Sequence, residues 1–262
     1  MEEKVLSFYS SLADYYHLIF EDWDASIARQ ASILNPLIAS EIPGHPLRIL
    51  DCACGIGTQA LGFAAFGHQV TGSDLSPASI SRAVREAELR NLPIACQVAD
   101  MTSLDGIDSG FDVVAALDNA LPHLSSEQLP RALQAIASRL GSGGLFLASI
   151  RDYDELILSR PSMQPPAFYG KAQNRRIIHQ VWDWIDERTY TLHLFITAQQ
   201  GSAWTSHHFI SEYHCLLRDE LSAALRSAGF DRVKWLIPRE SGYYQPLVLA
   251  RKTPAAEPRS SI

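Results

Sequence analysis

The chain has 262 residues, 47% of them hydrophobic and 19% charged, which is enough apolar material for one substantial core and unlike a disordered chain. Its 29 acidic residues outnumber 22 basic ones for a formal charge of −7, and no basic run neutralises phosphates, so nucleic acid is argued against and a small-molecule partner is expected. No stretch approaches the roughly eighteen apolar residues that span a bilayer, and Met1-Glu2-Glu3-Lys4 lacks the basic segment and apolar core of a signal peptide, so a cytoplasmic protein without membrane contact is expected.

From the N-terminus, residues 1–45 read as helical. An aromatic-rich region runs from Phe8-Tyr9 through Tyr15-Tyr16, Phe20 and Trp23, and Asp24 to Ile38 follows with apolar residues at helical spacing. Aromatics in such a stripe pack inward by default. Residues 46–150 then alternate strand and helix: Leu47 to Cys52, helix Thr58 to Ala65, Gln69 to Ser73, helix Pro77 to Arg90, Ile94 to Ala99, Phe111 to Leu117, helix Ser126 to Leu140, and Gly144 to Ile150. Alternation of this kind predicts an α/β fold with a mostly parallel sheet covered by helices on both faces. Ser76 before Pro77 supplies an N-cap for the second helix.

After Arg151 the grammar changes. A Pro-rich loop, Pro161 to Pro166, leads into extended runs at Arg176 to Trp184, Thr189 to Ala198 and His207 to Leu217, which read as antiparallel hairpin strands. They form an insert over residues 151–217, a cap above the carboxyl edge of the sheet. Over residues 218–252, helix Asp219 to Ala228 ends at Gly229, and strands near Val233 to Leu236 and Leu247 to Ala250 complete a seven-stranded sheet. The tail, 253–262, is expected to be disordered. Four cysteines, Cys52, Cys54, Cys96 and Cys215, lack disulfide or zinc spacing and read as small buried apolar side chains, so no metal is expected.

The stretch Ile49 to Ala60 carries the chemistry. An apolar strand runs into Gly55-Ile56-Gly57 and then a helix, a turn that lets backbone approach a ligand closely and points free N–H groups at it. Taken alone, Gly-x-Gly-x-x-Ala also fits a nicotinamide dinucleotide site. Its surroundings favour a cofactor with an ammonium group: Asp51 closes the strand where a carboxylate accepts from an amine, Asp74 ends the next strand about twenty residues past the first glycine, and Asp100-Met101 ends the third. Asp74 can take both ribose hydroxyls, Asp100 an adenine amine, and Met101 can cover the ring. The plainer reading, that each acid caps a turn, fits any one of them better than all three in register.

Three acid-bearing strand ends in this order resemble the class I S-adenosylmethionine-dependent methyltransferases. Further along, Phe111 to Leu124, Arg131 to Leu140, Gly143-Gly144 and Arg151-Asp152-Tyr153-Asp154 are similar to the glycine/sarcosine N-methyltransferase branch, as are Glu212 to Leu216 and the helix to Phe230. The resemblance implies a Rossmann-like core over 46–150, an N-terminal helical lid, S-adenosyl-L-methionine as cofactor and S-adenosyl-L-homocysteine as product. Cofactor contacts are implied at Tyr16, Trp23 and Arg29 in the lid and at Asp51, Ala53, Gly55, Gly57, Thr58, Asp74, Leu75, Asp100, Met101, Leu117 and Asn119 in the core.

Methyl transfer from a sulfonium is an in-line displacement whose main demands are alignment and exclusion of water. A base helps when the acceptor is an amine, and Tyr213, His123 and His214 are the candidates, with Tyr213 first. Substrate contacts are expected from Asp118, His123, Asp152, Trp182, Arg188, Tyr213 and Tyr243. Asp152 and Asp118 depart from the family, which has Asn and Gly there. An unpaired Asp152 would repel a substrate carboxylate, so a neutral or cationic nitrogen acceptor other than glycine is expected, unless Arg188 or Arg175 neutralises the acid. A small-molecule O-methyltransferase and a non-catalytic cofactor-binding module are the alternatives; no Tyr-x-x-x-Lys supports an oxidoreductase. Monomer and dimer both remain open.

Overall fold

The computed structural model describes residues 2–254. Residues 255–262, most of the tail expected to be disordered, lie outside the described residues. Two helices, α1 (Glu2–Leu12) and α2 (Trp23–Glu41), flank a 3-10 turn at Tyr16–Ile19. The alternating core follows as β1 (Arg48–Asp51), α3 (Thr58–Ala65), β2 (Gln69–Asp74), α4 (Pro77–Leu89), β3 (Ile94–Val98), β4 (Phe111–Ala116), α5 (Gln128–Arg139) and β5 (Leu140–Ser149). After α6 (Tyr153–Ser159), β6 (Met163–Lys171), β7 (Asn174–Trp184), β8 (Thr189–Gln200) and β9 (Ala203–His214) form an antiparallel sheet in chain order. The chain returns to the core with α7 (Arg218–Ser227), β10 (Phe230–Leu236), α8 (Pro238–Ser241) and β11 (Leu247–Lys252).

The main sheet has the order β10-β11-β5-β4-β1-β2-β3, parallel except for the β5–β11 and β11–β10 pairings. Strand side chains alternate between two buried faces. Leu50, Val114, Phe146 and Val248 pack with Leu133 and Ile136 of α5 and Leu221 and Leu225 of α7. Ile49, Val113, Leu145 and Leu249 pack on the other side with Leu34 of α2 and Phe63 of α3. Burial on both faces is why these strands are apolar almost without interruption. Strand order reverses between β1 and β4, and the crevice outside the carboxyl ends there is where such sheets take ligands.

Helix α2 lies unusually close to α3 because Gly62 has no side chain: a Cβ there would sit 2.8 Å from Ala31 Cβ. In the cap, the expected loop at Pro161 to Pro166 is corrected. Met163 to Pro166 belongs to edge strand β6, where a register shift between Gln164 and Ala167 absorbs the two prolines, which cannot donate to a ladder. Among the described residues no helix is long and apolar enough to cross a membrane.

Candidate active site

At the carboxyl end of β1, Asp51 is 1% exposed, and neither carboxylate oxygen has a hydrogen-bond partner among the described residues. Burial pushes its carboxyl up to about 7, with the nearby Ala53 amide pulling the other way and the charges of Asp118 and Asp74 adding to the rise. An orphaned buried acid of this kind fits the ammonium of an amino-acid moiety. The chain then turns through Gly55 (φ +52) and Gly57 (φ +96) into α3, conformations that side chains other than glycine adopt at a cost. The Tyr16 ring lies 3.9 Å from where a Gly55 Cβ would stand, so the 3-10 turn covers the glycine loop.

Asp74 accepts from the Gly55 N–H (2.9 Å) and the Ser76 N–H (2.9 Å), which spends one lone pair on each oxygen and leaves acceptor capacity for a diol. Burial raises its carboxyl as well. Asp100 accepts from the N–H and hydroxyl of Thr102 (2.7 and 2.6 Å). One pocket gathers Tyr16, Ala53, Gly55, Thr58, Asp74, Leu75, Asp100, Met101 and Leu117 of the expected cofactor set. Asp51, 1% exposed at the end of β1, is not among the residues that line it, although Cys52 and Ala53 directly after it are. Gly57 shapes the turn without lining the pocket, and Trp23 lies behind the wall, its indole N–H donating to Thr58 Oγ1 (2.9 Å). Arg29 is not brought to the pocket: it bonds Ser26 on its own helix (3.3 Å), and α2 carries it away from the glycine turn. Asn119 faces the neighbouring cavity instead.

That neighbouring cavity, of about 480 Å³, lies between the sheet end, the 3-10 turn and the cap. Tyr9, Tyr16 and Asp118 line both spaces and form their common wall. Asp118 (φ +56) and Asn119 (φ +67) are consecutive left-handed residues after β4. They are pinned by the Asp118 N–H to Ser149 Oγ (2.9 Å), the Asn119 amide to the Tyr153 hydroxyl (2.9 Å), and the Arg151 N–H to Asn119 Oδ1 (2.9 Å).

Arg151 is the cavity's partly buried cation. Its guanidinium lies over the rings of Trp182 (4.9 Å) and Tyr213 (5.1 Å) and donates to the Tyr190 hydroxyl (2.6 Å) and, at 3.4 Å, to Gln180 Oε1. Burial works against the charge, but the oxygens of Tyr190, Tyr153 and Tyr213 outweigh it and hold the group protonated. No carboxylate pairs with it among the described residues. Trp182, 1% exposed, is thus a floor under Arg151 rather than a substrate-stacking surface, a correction to its expected role.

Other expectations are corrected too. Asp152 lines the cavity but is not unpaired: Arg218, at the start of α7, lies 3.4 Å from it and 2.9 Å from Asp154. Arg188 pairs with Glu220 (2.8 Å) away from the cavity, and Arg175 is exposed on β7, so neither expected cation reaches Asp152. His214 is exposed and turned out of the cavity, because alternation along β9 sends Tyr213 inward and its neighbour outward. Tyr243, 1% exposed, reaches the site only through Asp118 Oδ1 (3.2 Å); Tyr244 lines the cavity in its place.

His123 accepts from or donates to the Tyr9 hydroxyl (2.9 Å) and lies against Tyr213 at 4.2 Å. Burial and the charge of Arg151 push its imidazole down to about 3, so it is neutral and a poor base. Burial likewise pushes Tyr213 up to about 12. Tyr9 and Arg151 are functional candidates the site-residue expectations lacked; an arginine directly after the buried Ile150, at a strand's carboxyl end, is the signal that marks Arg151.

A profile of the methyltransferase domain matches residues 49–144. Human glycine N-methyltransferase is 27% identical over 191 residues, 64% of this chain and 65% of that one. The glycine/sarcosine N-methyltransferase of Parasynechococcus marenigrum is 30% identical over 139 residues, 52% of this chain and 48% of its own. The chain thus spans about half to two thirds of the length of these relatives. Among solved structures, S-adenosylmethionine-bound CalS10, an amino pentose methyltransferase from Micromonospora echinaspora, superposes with a TM-score of 0.74 at 20% identity, covering 87% of this chain and 92% of that one, a likeness of fold. Domain profile, sheet order and relatives together support a class I S-adenosylmethionine-dependent methyltransferase, with a weak similarity to the glycine N-methyltransferase branch.

Proposed function

We propose that this protein methylates the nitrogen of a small amine that also carries an anionic group, and that the acceptor is larger than glycine. The observation that carries the reading is the common wall: Tyr9, Tyr16 and Asp118 line both the cofactor pocket and the 480 Å³ cavity, so two ligands bound in them meet there. When bound, S-adenosylmethionine supplies an electrophilic methyl group on a sulfonium. The chain's part is to align and desolvate. Phenols held protonated by burial at Tyr9, Tyr16 and Tyr213 keep the junction uncharged apart from Asp118.

Arg151 supports the anionic group, since a partly buried guanidinium set over aromatic rings and without a carboxylate partner is well placed to pair with one from the ligand. The expectation that Asp152 repels a carboxylate rested on its being unpaired; Arg218, shared with Asp154, offsets part of that charge, and Arg151 lines the same cavity. The cavity's volume, within the range of drug-sized ligand sites, supports an acceptor beyond glycine. Nitrogen as the methylated atom is supported by the glycine N-methyltransferase relatives and the amino-sugar enzyme of similar fold.

The test is S-adenosylhomocysteine release across a panel of glycine, sarcosine, larger amino acids, anionic amino sugars, their uncharged analogues and phenols. Turnover is expected for anionic amines larger than glycine. Arg151→Gln is expected to raise KM for those acceptors about a hundredfold, while leaving uncharged amines nearly unaffected. Turnover confined to phenols sinks the reading.

A further inference from the structure

Asp118 is the one carboxylate among the described residues that lines both spaces. The backbone holds it there against its preference: two successive residues other than glycine in the left-handed region cost on the order of 1 kcal/mol each, somewhat less for Asn119. Its hydrogen bonding is incomplete. The Tyr243 hydroxyl, with a single proton, lies 2.9 Å from Gln30 Oε1 and 3.2 Å from Asp118 Oδ1, so Asp118 competes for that donor. An ionised carboxylate has about four acceptor sites, and no cation pairs with this one among the described residues.

We propose that Asp118 receives the acceptor's ammonium group at the junction and takes its proton, so that the enzyme selects amines that arrive charged. This rests on the methyl-transfer reading. An alkylammonium has a pKa of about 10 and no free electron pair near neutral pH, so a proton must leave before attack. In the step, an N–H bond breaks, its pair stays on nitrogen and the proton passes to an Asp118 oxygen. That pair then forms the bond to the methyl carbon while the carbon–sulfur pair returns to sulfur. Nitrogen inherits the positive charge, and the proton leaves Asp118 for solvent as the product departs.

No neighbouring group suits the task as well. The groups that face Asp118 are Tyr9 from α1, Asp51 from β1, Gln59 from α3, Tyr16 from the 3-10 turn, Tyr213 from β9, Tyr243 ahead of β11, and Arg151 after β5. Asp51 does not line the acceptor cavity, and the tyrosines stay protonated. Burial raises the Asp118 carboxyl, and the same loss of water lowers a bound ammonium, which narrows the gap the proton crosses.

The test uses the full chain with S-adenosylhomocysteine bound and benzylammonium as probe, benzyl alcohol being its uncharged match. By calorimetry near neutral pH, the wild type is expected to bind benzylammonium at least about tenfold more tightly than the alcohol. Asp118→Asn and Asp118→Gly, both tolerant of the backbone here, are expected to erase that preference by more than any change in their S-adenosylhomocysteine affinity, which is titrated alongside because Asp118 also borders the cofactor pocket. With the best amine of the acceptor panel, Asp118→Asn is expected to lower kcat/KM about a hundredfold near neutral pH and to recover as the pH approaches that amine's own pKa. The proposal fails if the wild type does not prefer benzylammonium, if the variants keep the preference, or if they lose S-adenosylhomocysteine in proportion. Charge-selective binding without turnover of any amine instead overturns the methyl-transfer reading and leaves the ammonium contact standing.

Discussion

Asp51, with two unpartnered oxygens and a carboxyl pushed up to about 7 by burial, is a residue whose cost is recovered only when a cation arrives. Its sign is that of a raised acid: the empty fold favours the protonated form, so its contribution to stability is present below the ordinary value of 3.8 and is lost as the pH rises through about 7. Cofactor affinity runs the opposite way. S-adenosylhomocysteine is expected to bind about tenfold more weakly a unit below that value, and again more weakly at alkaline pH once its own amine loses its proton. Asp51→Asn is expected to raise the melting temperature of the empty protein at alkaline pH and to weaken S-adenosylhomocysteine at least about a hundredfold; a calorimetric titration and a melting curve check both arms. Acids at strand ends were legible because each is local to its own strand. Arg151 was not, since its aromatic box is assembled from β7, β8 and β9, and Asp152 was misread because its partner Arg218 lies beyond the whole cap.

At the scale of elements, α3 was legible to the residue, since Gly57 opens it and Gly67 follows its end. Helix α6 was not foreseen: its seven residues, Tyr153–Ser159, are too few to establish an amphipathic period. Strand β6 was hidden by its prolines, which a central strand excludes and a bulged edge admits. Helix α2 packs closely on α3 across Gly62. Gly62→Val is expected to destabilise the fold by about 2 kcal/mol, because the gain in helix propensity is smaller than the cost of forcing Ala31 and the Ile27 carbonyl outward. Denaturant unfolding of the two proteins measures it; an unchanged midpoint refutes the close packing.

Taken whole, one short segment reaches from the glycine turn of the core to the cap. Residues 13–22 pass over the glycine turn, contribute Tyr16 to both spaces, and are tied to the cap by Arg176, which donates to the carbonyls of Phe20 (2.9 Å) and Glu21 (3.0 Å). The seven-stranded, mostly parallel sheet and the hairpins were legible from periodicity, whereas the strand order was not, and this tie joins residues about 155 positions apart that no local pattern announces. Arg176→Ala is expected to speed S-adenosylhomocysteine dissociation several-fold with little change in melting temperature, read by stopped-flow displacement; an unaltered off-rate removes the tie from the dissociation barrier.

The Tyr16 ring over Gly55 carries a consequence for the sequence of events in a turnover. With that ring lining both the acceptor cavity and the cofactor pocket, the proposed methyl transfer is expected to run with the nucleotide entering before the acceptor and leaving after it. Steady-state kinetics are then of the compulsory-order kind, with S-adenosylhomocysteine competing against S-adenosylmethionine and not against the amine.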